Sequence, residues 1–375
     1  MKCKKRERFN YKIDDKFIKY FDKRLKQIFF YITDDCQLRC KQCLYKPSLV
    51  FQMKRKEIGL GELKKLAADF KKLGAIKATI MGGEPALYGD PKHKQLMELI
   101  KDMRDMGYKY IRMDTNGQYE DDFLANKGMK LLDEISFSID GYSRETNDIL
   151  RGEGAFEKVI KNIKRAVNLG YNVDITTCVH SALIKRDDNG ELGLDKMIKF
   201  TEKLGAEKIN FHVLFKHGFP MDVWTEETAI KWKEWVKIYK EINNNIAEGK
   251  YKIHVRNPQH FVTKEGFFKN PNYYGYCAAK LGERVLVHSD GMIRICSGLV
   301  SSKYCVAKFY DKKIVWEEGL TNELLDHNLS ALTPCTSQLK GMKCGNLLPL
   351  CFSFKPKQRE IVWGEAIKWE DKLDK

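Results

Sequence analysis

The sequence has no apolar run that approaches the length of a membrane span, and its charged opening, MKCKKRERFNYK, is followed by no hydrophobic stretch. Neither a transmembrane helix nor a secretory signal is therefore expected, and the protein reads as cytoplasmic. Low-complexity sequence is lacking except toward the ends. With 43% hydrophobic content over 375 residues, a large core in two domains or one enlarged barrel is expected instead of a disordered chain. Without an export signal, the eleven cysteines do not read as a disulfide framework. Metal or cluster binding explains them better. Also lacking is any gathering of the basic residues into one stripe: the formal charge of +16 is scattered through every helix-like segment. A solvated basic surface is the plain reading, and nucleic acid is not the expected partner. An acidic or peptide-like substrate fits the charge as well.

What is present begins with three cysteines, Cys36, Cys40 and Cys43, in the string ITDDCQLRCKQCLY. The apolar run 27–33 predicts a strand that delivers them on the loop at its end. Four thiolates saturate a [4Fe-4S] cube, so three leave one iron open, and C-x3-C-x2-C is short enough to wrap a single cube. A structural zinc site is the alternative, but no paired C-x2-C or His-x3-His nearby completes it. The next apolar run, 75–81, ends in Gly82-Gly83-Glu84-Pro85. From Gln27 onward, strand-like segments at 28–33, 75–81, 109–115, 134–140, 171–179 and 207–214 alternate with helix-like ones at 60–73, 92–106, 120–131, 155–169 and 192–204. This pattern implies βα units and a parallel sheet, an α/β fold. Gly74, Gly107, Gly170 and Gly205 stand where left-handed C-caps are needed. A longer helix is expected over 226–248.

The cysteine spacing followed by GGEP resembles the radical S-adenosylmethionine (SAM) superfamily. The resemblance implies a partial (β/α)6, TIM-like barrel over 27–250, preceded by a basic arm at 1–26 and followed by a cysteine-rich domain over 251–375. It implies a [4Fe-4S] cluster on Cys36, Cys40 and Cys43 whose open iron chelates SAM. Gly82, Gly83, Glu84 and Pro85 would lie along the SAM methionine, the glycines letting the backbone approach and the Glu84 carboxylate accepting from the ammonium. The strand ends around Thr115 and Asn116, and around Ser138 and Asp140, would face the rest of SAM. By strand alternation Ser138 and Asp140 share one face, although Asn-Gly and Asp-Gly are also ordinary turn formers. Arg151 would reach the SAM carboxylate or cap a helix. The residue before the third cysteine, usually aromatic in the family, is Gln42, which leaves the adenine contacts open. Arg39 and Lys41 would ease reduction of the cluster or simply be solvated.

Further along, Cys277, Gly291 and Cys296 resemble the C-x(9-15)-G-x4-C opening of SPASM and twitch auxiliary domains, with RVLVHSDGMIRIC between them reading as a β-hairpin. No C-x2-C-x5-C-x3-C run follows. One auxiliary [4Fe-4S] cluster on Cys277, Cys296, Cys344 and Cys351 is therefore expected, with Cys305 and Cys335 in reserve; buried cysteines and a zinc site are the alternative. Cys178, on the fifth strand, is a candidate hydrogen donor or a packed core residue. The resemblance implies one-electron reduction by a flavodoxin or ferredoxin, cleavage of SAM to a 5'-deoxyadenosyl radical, and hydrogen abstraction from a substrate carbon. A ribosomal peptide or protein that is crosslinked, epimerised or oxidised is the first substrate reading. A small metabolite such as an amino sugar is the second, and a non-catalytic iron-sulfur protein bound to RNA a remote third.

Overall fold

The structure is a computed structural model, and it describes residues 9–43, 57–120, 123–213, 228, 230–256, 260–269, 276–279, 281–296, 305–317, 347–350 and 354–355. Its centre is a run of six parallel strands in sequence order: Gln27–Tyr31, Lys77–Met81, Tyr110–Thr115, Glu134–Ser138, Val173–Val179 and Lys208–Val213. A short seventh, His254–Arg256, pairs in parallel beyond the sixth. Alternation along these strands separates two faces. Ile28, Phe30, Ile80, Met113, Phe137, Ile175 and Phe211 are fully buried, and Phe30 meets Phe70 of the helix Leu60–Lys72. The opposite face, with Gln27, Thr79, Arg112, Ser136, Thr176 and Asn210, is polar and lines the inside of the half-barrel. Burying one such aliphatic or aromatic side chain contributes about 1.5–3 kcal/mol, so the helix-facing row stabilises the sheet and leaves the inner face available for chemistry.

The connecting helices Leu60–Lys72, Lys94–Asp105, Ala155–Asn168 and Gly193–Leu204 fall where the sequence placed them, and the glycines beyond them take positive φ, +111° at Gly74 and +79° at Gly205. The segment 120–131 corrects the expectation of a helix. It forms two short 3-10 turns, Phe123–Ala125 and Lys127–Leu131. There Tyr119 packs on Phe123, and Gly128 lies so near Met97 that a Cβ would come within 2.8 Å of its side chain. Close approach to the preceding helix decides the path over helical propensity. A helix the sequence reading lacked, Arg144–Arg151, starts on a capping box between Ser143 and Thr146. The expected long helix runs from Trp232 to Ala247.

The ladder continues past the first barrel strand and joins segments far apart in sequence. Arg284–His288 pairs in parallel with Gln27–Tyr31, then Met292–Arg294, Ala307–Tyr310 and Lys313–Trp316 follow antiparallel. Lys12–Ile13 completes the edge beside Lys313–Trp316. The basic arm is thus woven into the sheet, and the next helix, Asp15–Phe21, buries Phe17, Tyr20 and Phe21 near Trp316 and Phe70. The expected hairpin is present, with the Gly291 N–H donating to His288 O at 3.0 Å and Gly291 at φ +87°. Among the described residues no helix is long and apolar enough to cross a membrane.

Candidate functional site

The loop after the first strand carries Cys36, Cys40 and Cys43, all half-buried. Several backbone and side-chain ties hold it. The Lys41 N–H donates to Leu150 O at 2.8 Å, and the Cys43 N–H to Cys40 O at 3.2 Å. Gln42, buried where an aromatic was expected, donates through Nε2 to Asp140 Oδ2 at 2.5 Å. Arg39 and Lys41 are exposed. The Asn116 Nδ2 amide points at Cys36 Sγ from 3.4 Å. Burial, with help from Glu84 and the two other thiols, pushes the Cys36 thiol up to about 12. The donor set is three mutually interacting thiols with an amide aimed at one sulfur, a soft set that fits an iron-sulfur cluster.

Gly82 and Gly83 have a structural reason to be glycine. A Cβ on Gly82 would stand 2.5 Å from Thr33 O, and one on Gly83 2.1 Å from Asp35 O. The close approach these glycines permit is therefore to the cysteine loop. Consistent with it, the Gly83 N–H donates to Thr33 O at 2.7 Å and the Glu84 N–H to Asp35 O at 2.6 Å. The Glu84 carboxylate is fully buried and accepts from Thr115 Oγ1 at 2.8 Å, Asn116 N at 2.7 Å and Ala86 N at 3.1 Å. Burial dominates its ionisation and raises it to about 7. Pro85 opens the 3-10 turn that Glu84 caps.

Asp140 is a second hub. The fourth strand ends at Ser138, so strand alternation does not extend to Asp140, which is fully buried. Its Oδ2 accepts from Gln42 and lies 2.7 Å from Arg151 Nε, while its Oδ1 accepts from the Cys178 N–H at 2.7 Å. Its own N–H donates to Asn147 Oδ1 at 2.9 Å, and its carbonyl meets His180 Nε2 at 2.9 Å. Arg151 ends its helix, buried, as the counter-charge of Asp140, and it also acts electrostatically on Cys40 and Cys178. Thr115, Asn116, Glu84, Asp140 and Arg151 are thus tied into the protein's own network. Ser138 is half-buried at the strand end, its hydroxyl engaged by no hydrogen bond among the described residues.

Cys178 pairs in register with His212 on the inner face and interacts with Cys40 and Cys43; burial, followed by Asp140, holds its thiol well above the ordinary value. Asn210 Nδ2 lies 2.6 Å from His212 Nε2 on the same face. Both residues were readable in the sequence from their alternation along INFHV, but polar residues at alternate strand positions read equally as a solvated face.

Of the four expected auxiliary ligands, only Cys277 and Cys296 fall among the described residues. Cys296 is buried at the end of the hairpin's second strand. Cys305 is also buried, and its thiol donates to Ala307 O at 2.9 Å, which suits a packed residue. Cys277 is placed by its backbone, in a short strand with Phe354. Cys335, Cys344 and Cys351 lie outside the described residues.

The profile of the Radical SAM superfamily matches residues 30–192, a stretch that holds the three cysteines, GGEP and both carboxylate hubs. Residues 30–192 are accordingly a radical SAM domain. The chain's cofactors are therefore a [4Fe-4S] cluster and SAM. In sequence it is 26% identical over 277 residues to molybdenum cofactor biosynthesis protein 1 of Drosophila melanogaster, covering 71% of this chain and 45% of that one. It is 25% identical over 231 residues to a probable GTP 3',8-cyclase of Saccharolobus islandicus, covering 60% and 68%. It is also 31% identical over 166 residues to the GTP 3',8-cyclase of Haemophilus ducreyi, covering 43% and 45%. The match thus spans under half of the Drosophila and Haemophilus proteins. Among solved structures, Streptococcus suis SuiB bound to its precursor peptide SuiA superposes with a TM-score of 0.56 at 15% identity, covering 83% of this chain and 67% of that one. Native anSMEcpe with bound AdoMet gives 0.56 at 19% identity, covering 82% and 81%. These distant superpositions establish the radical SAM fold, an α/β sheet of parallel strands.

Proposed function

We propose that this radical SAM enzyme holds its cluster on Cys36, Cys40 and Cys43 and takes a hydrogen atom from a carbon of a ribosomally made peptide. Bound SAM supplies the 5'-deoxyadenosyl radical for that step. The observation that supports it is the pinned three-thiol loop above a polar inner face: Glu84 and Asp140 fix the loop from two sides, and Ser138, Cys178, Asn210 and His212 line the adjoining strand ends. The same fold in SuiB bound to its precursor peptide, matched over 83% of this chain, is the reason for placing a peptide first. We assign one auxiliary [4Fe-4S] cluster to the region of Cys277, Cys296, Cys344 and Cys351, and electron supply to a flavodoxin or ferredoxin.

A second reading, a nucleotide substrate, is favoured by the sequence relatives, which are GTP 3',8-cyclases. The amino-sugar alternative has no corresponding relative among those named above.

Anaerobic iron analysis tests the cluster. The wild type should hold roughly eight irons and the Cys36/Cys40/Cys43→Ala variant about four, with release of 5'-deoxyadenosine under dithionite lost in the variant. About four irons in the wild type removes the auxiliary cluster, and unchanged iron in the variant misassigns the first. Deuterium transfer into 5'-deoxyadenosine then separates the substrates. Label arriving from GTP, and not from a peptide encoded beside the gene, overturns the peptide reading. No SAM cleavage at all would leave the RNA-binding alternative.

In an epimerising outcome, Cys178 is the hydrogen donor. Its S–H bond breaks as a C–H bond forms on the substrate radical, and an auxiliary cluster, when bound, would supply the electron that together with a solvent proton restores the thiol. Cys178→Ala should keep 5'-deoxyadenosine release and lose solvent-derived deuterium from the product. Retained label would rule out this role.

A further inference from the structure

The inner face of the half-barrel continues onto the cysteine-bearing hairpin. In register, Leu286 faces Phe29, His288 faces Tyr31, and Arg294 faces Leu286. Partners across a ladder project to the same side, so Arg294, Leu286 and His288 belong to the inner face together with Phe29 and Tyr31. The ring contacts agree: His288 stacks on Tyr31 at 4.2 Å with planes 10° apart, and the Arg284 guanidinium lies over Phe29.

Arg294 is 6% exposed. Its nearest carboxylate oxygen among the described residues is Asp290 Oδ2 at 3.9 Å, on a residue 29% exposed in its side chain. Among the described residues its one hydrogen-bond partner is the thioether of Met292 at 3.0 Å, and its Nε is buried without a partner. Both contacts lie toward the hairpin tip. There Ser289 donates to Asp34 of the cysteine loop, so the guanidinium is turned toward the edge of the sheet where the three cysteines stand.

A buried guanidinium whose nearest described carboxylate is distant and partly exposed is costly to the folded chain, because desolvation is poorly repaid. The other buried arginines among the described residues differ: Arg112, on a strand, contacts three carboxylates, and Arg151, at a helix end, is paired with Asp140. A cation left in this condition, on the face the substrate must occupy, is explained by an anion that arrives from outside.

We propose that Arg294 is the anchor for an oxyanion of the substrate, a carboxylate or phosphate group, which it grips at the hairpin edge of the SAM site. The guanidinium fork suits either group through paired N–H donors. The neighbouring His288 is held neutral by burial and by Arg294 itself, so it brings no second charge beside the guanidinium. This assignment rests on the proposed enzymatic reading and narrows it to substrates with an acidic group near the reacting carbon.

The test uses the full chain with its clusters reconstituted anaerobically, comparing wild type with Arg294→Met and Arg294→Lys. Equilibrium binding is measured with GTP, tripolyphosphate and an oligo-glutamate peptide. Binding of GTP or tripolyphosphate should fall roughly tenfold to hundredfold in Arg294→Met if the anion is a phosphate, and binding of the peptide by a similar factor if it is a carboxylate. Arg294→Lys should recover part of the loss. The protein without added anion should melt at the same or a higher temperature in Arg294→Met, since an uncompensated charge has been removed. Unchanged binding of all three probes overturns the proposal, and so does a lowered melting temperature, which marks an ordinary structural arginine. A fall in iron from roughly eight to about four would assign the arginine to the auxiliary cluster instead. In all these measurements 5'-deoxyadenosine release without substrate should persist, and its absence in the wild type would fault the enzymatic reading and not the anchor.

Discussion

The floor of the barrel and the hairpin beside it treat a buried arginine in opposite ways. On the floor, Arg112 Nη1 reaches Glu134 Oε1 at 2.6 Å and Asp174 Oδ2 at 2.7 Å, while its Nε donates to Asp114 Oδ1 at 2.5 Å. Lys208 and Tyr110 also bind Glu134. On the hairpin, Arg294 has one carboxylate at 3.9 Å. The barrel therefore supplies its own anions where strands must be held together, and omits them where the inner face opens. Internal pairing marks scaffold, and its lack marks a place for a ligand.

The strongest way to break this comparison is to remove the scaffold's cation. Arg112→Met leaves Glu134 and Asp174, both essentially unexposed, without their guanidinium. The expected cost is about 3–5 kcal/mol in urea denaturation, the range for truncating one member of a buried ion pair. Arg294→Met, in the same assay, should cost nothing. Equal losses in the two variants would mean that the number of carboxylates around a buried arginine says nothing about its role.

The floor network was hidden in the sequence although every member was visible in it. Arg112, Glu134, Asp174 and Lys208 sit on four different strands, and each alone reads as a polar residue at an alternate position. Only register brings them together. The barrel strands and Gly-capped helices were legible because periodicity and caps are local signals. So was the three-cysteine loop, whose members are seven residues apart at most. The roles inside the site were less legible. Glu84, expected to meet the SAM ammonium, also accepts from Thr115, Asn116 and Ala86, donors that no local pattern in the sequence announces. Gln42 was noted as a missing aromatic and is found tying the loop to Asp140. The pairing of 284–288 with the first barrel strand is a contact across more than 250 positions, which no local pattern encodes.

Glu84 supplies a third case, between Arg112 and Arg294: a buried carboxylate with three donors and, among the described residues, no counter-ion. Those donors favour the ionised form, and burial opposes them more strongly, leaving the group near 7 in the folded protein against an ordinary 4.5. The folded state thus holds this proton more tightly than the unfolded chain does. Its contribution to stability is complete below pH of about 4.5 and is lost as pH rises through about 7, a change of about 3 kcal/mol for a shift of this size. Buried His180 and His288, both shifted downward by burial, act in the opposite direction, so the readout is the difference between wild type and Glu84→Gln. In cluster-free protein, the wild type should lose stability relative to Glu84→Gln between pH of about 4.5 and 7, and the two curves should run parallel above it. A constant difference across that window would mean that the three donors outweigh burial and that Glu84 is an ordinary carboxylate. In that case hydrogen-bond donors alone would suffice to hold a buried charge, and the Arg294 Nε left without an acceptor among the described residues would become part of the measure of what its ligand must bring.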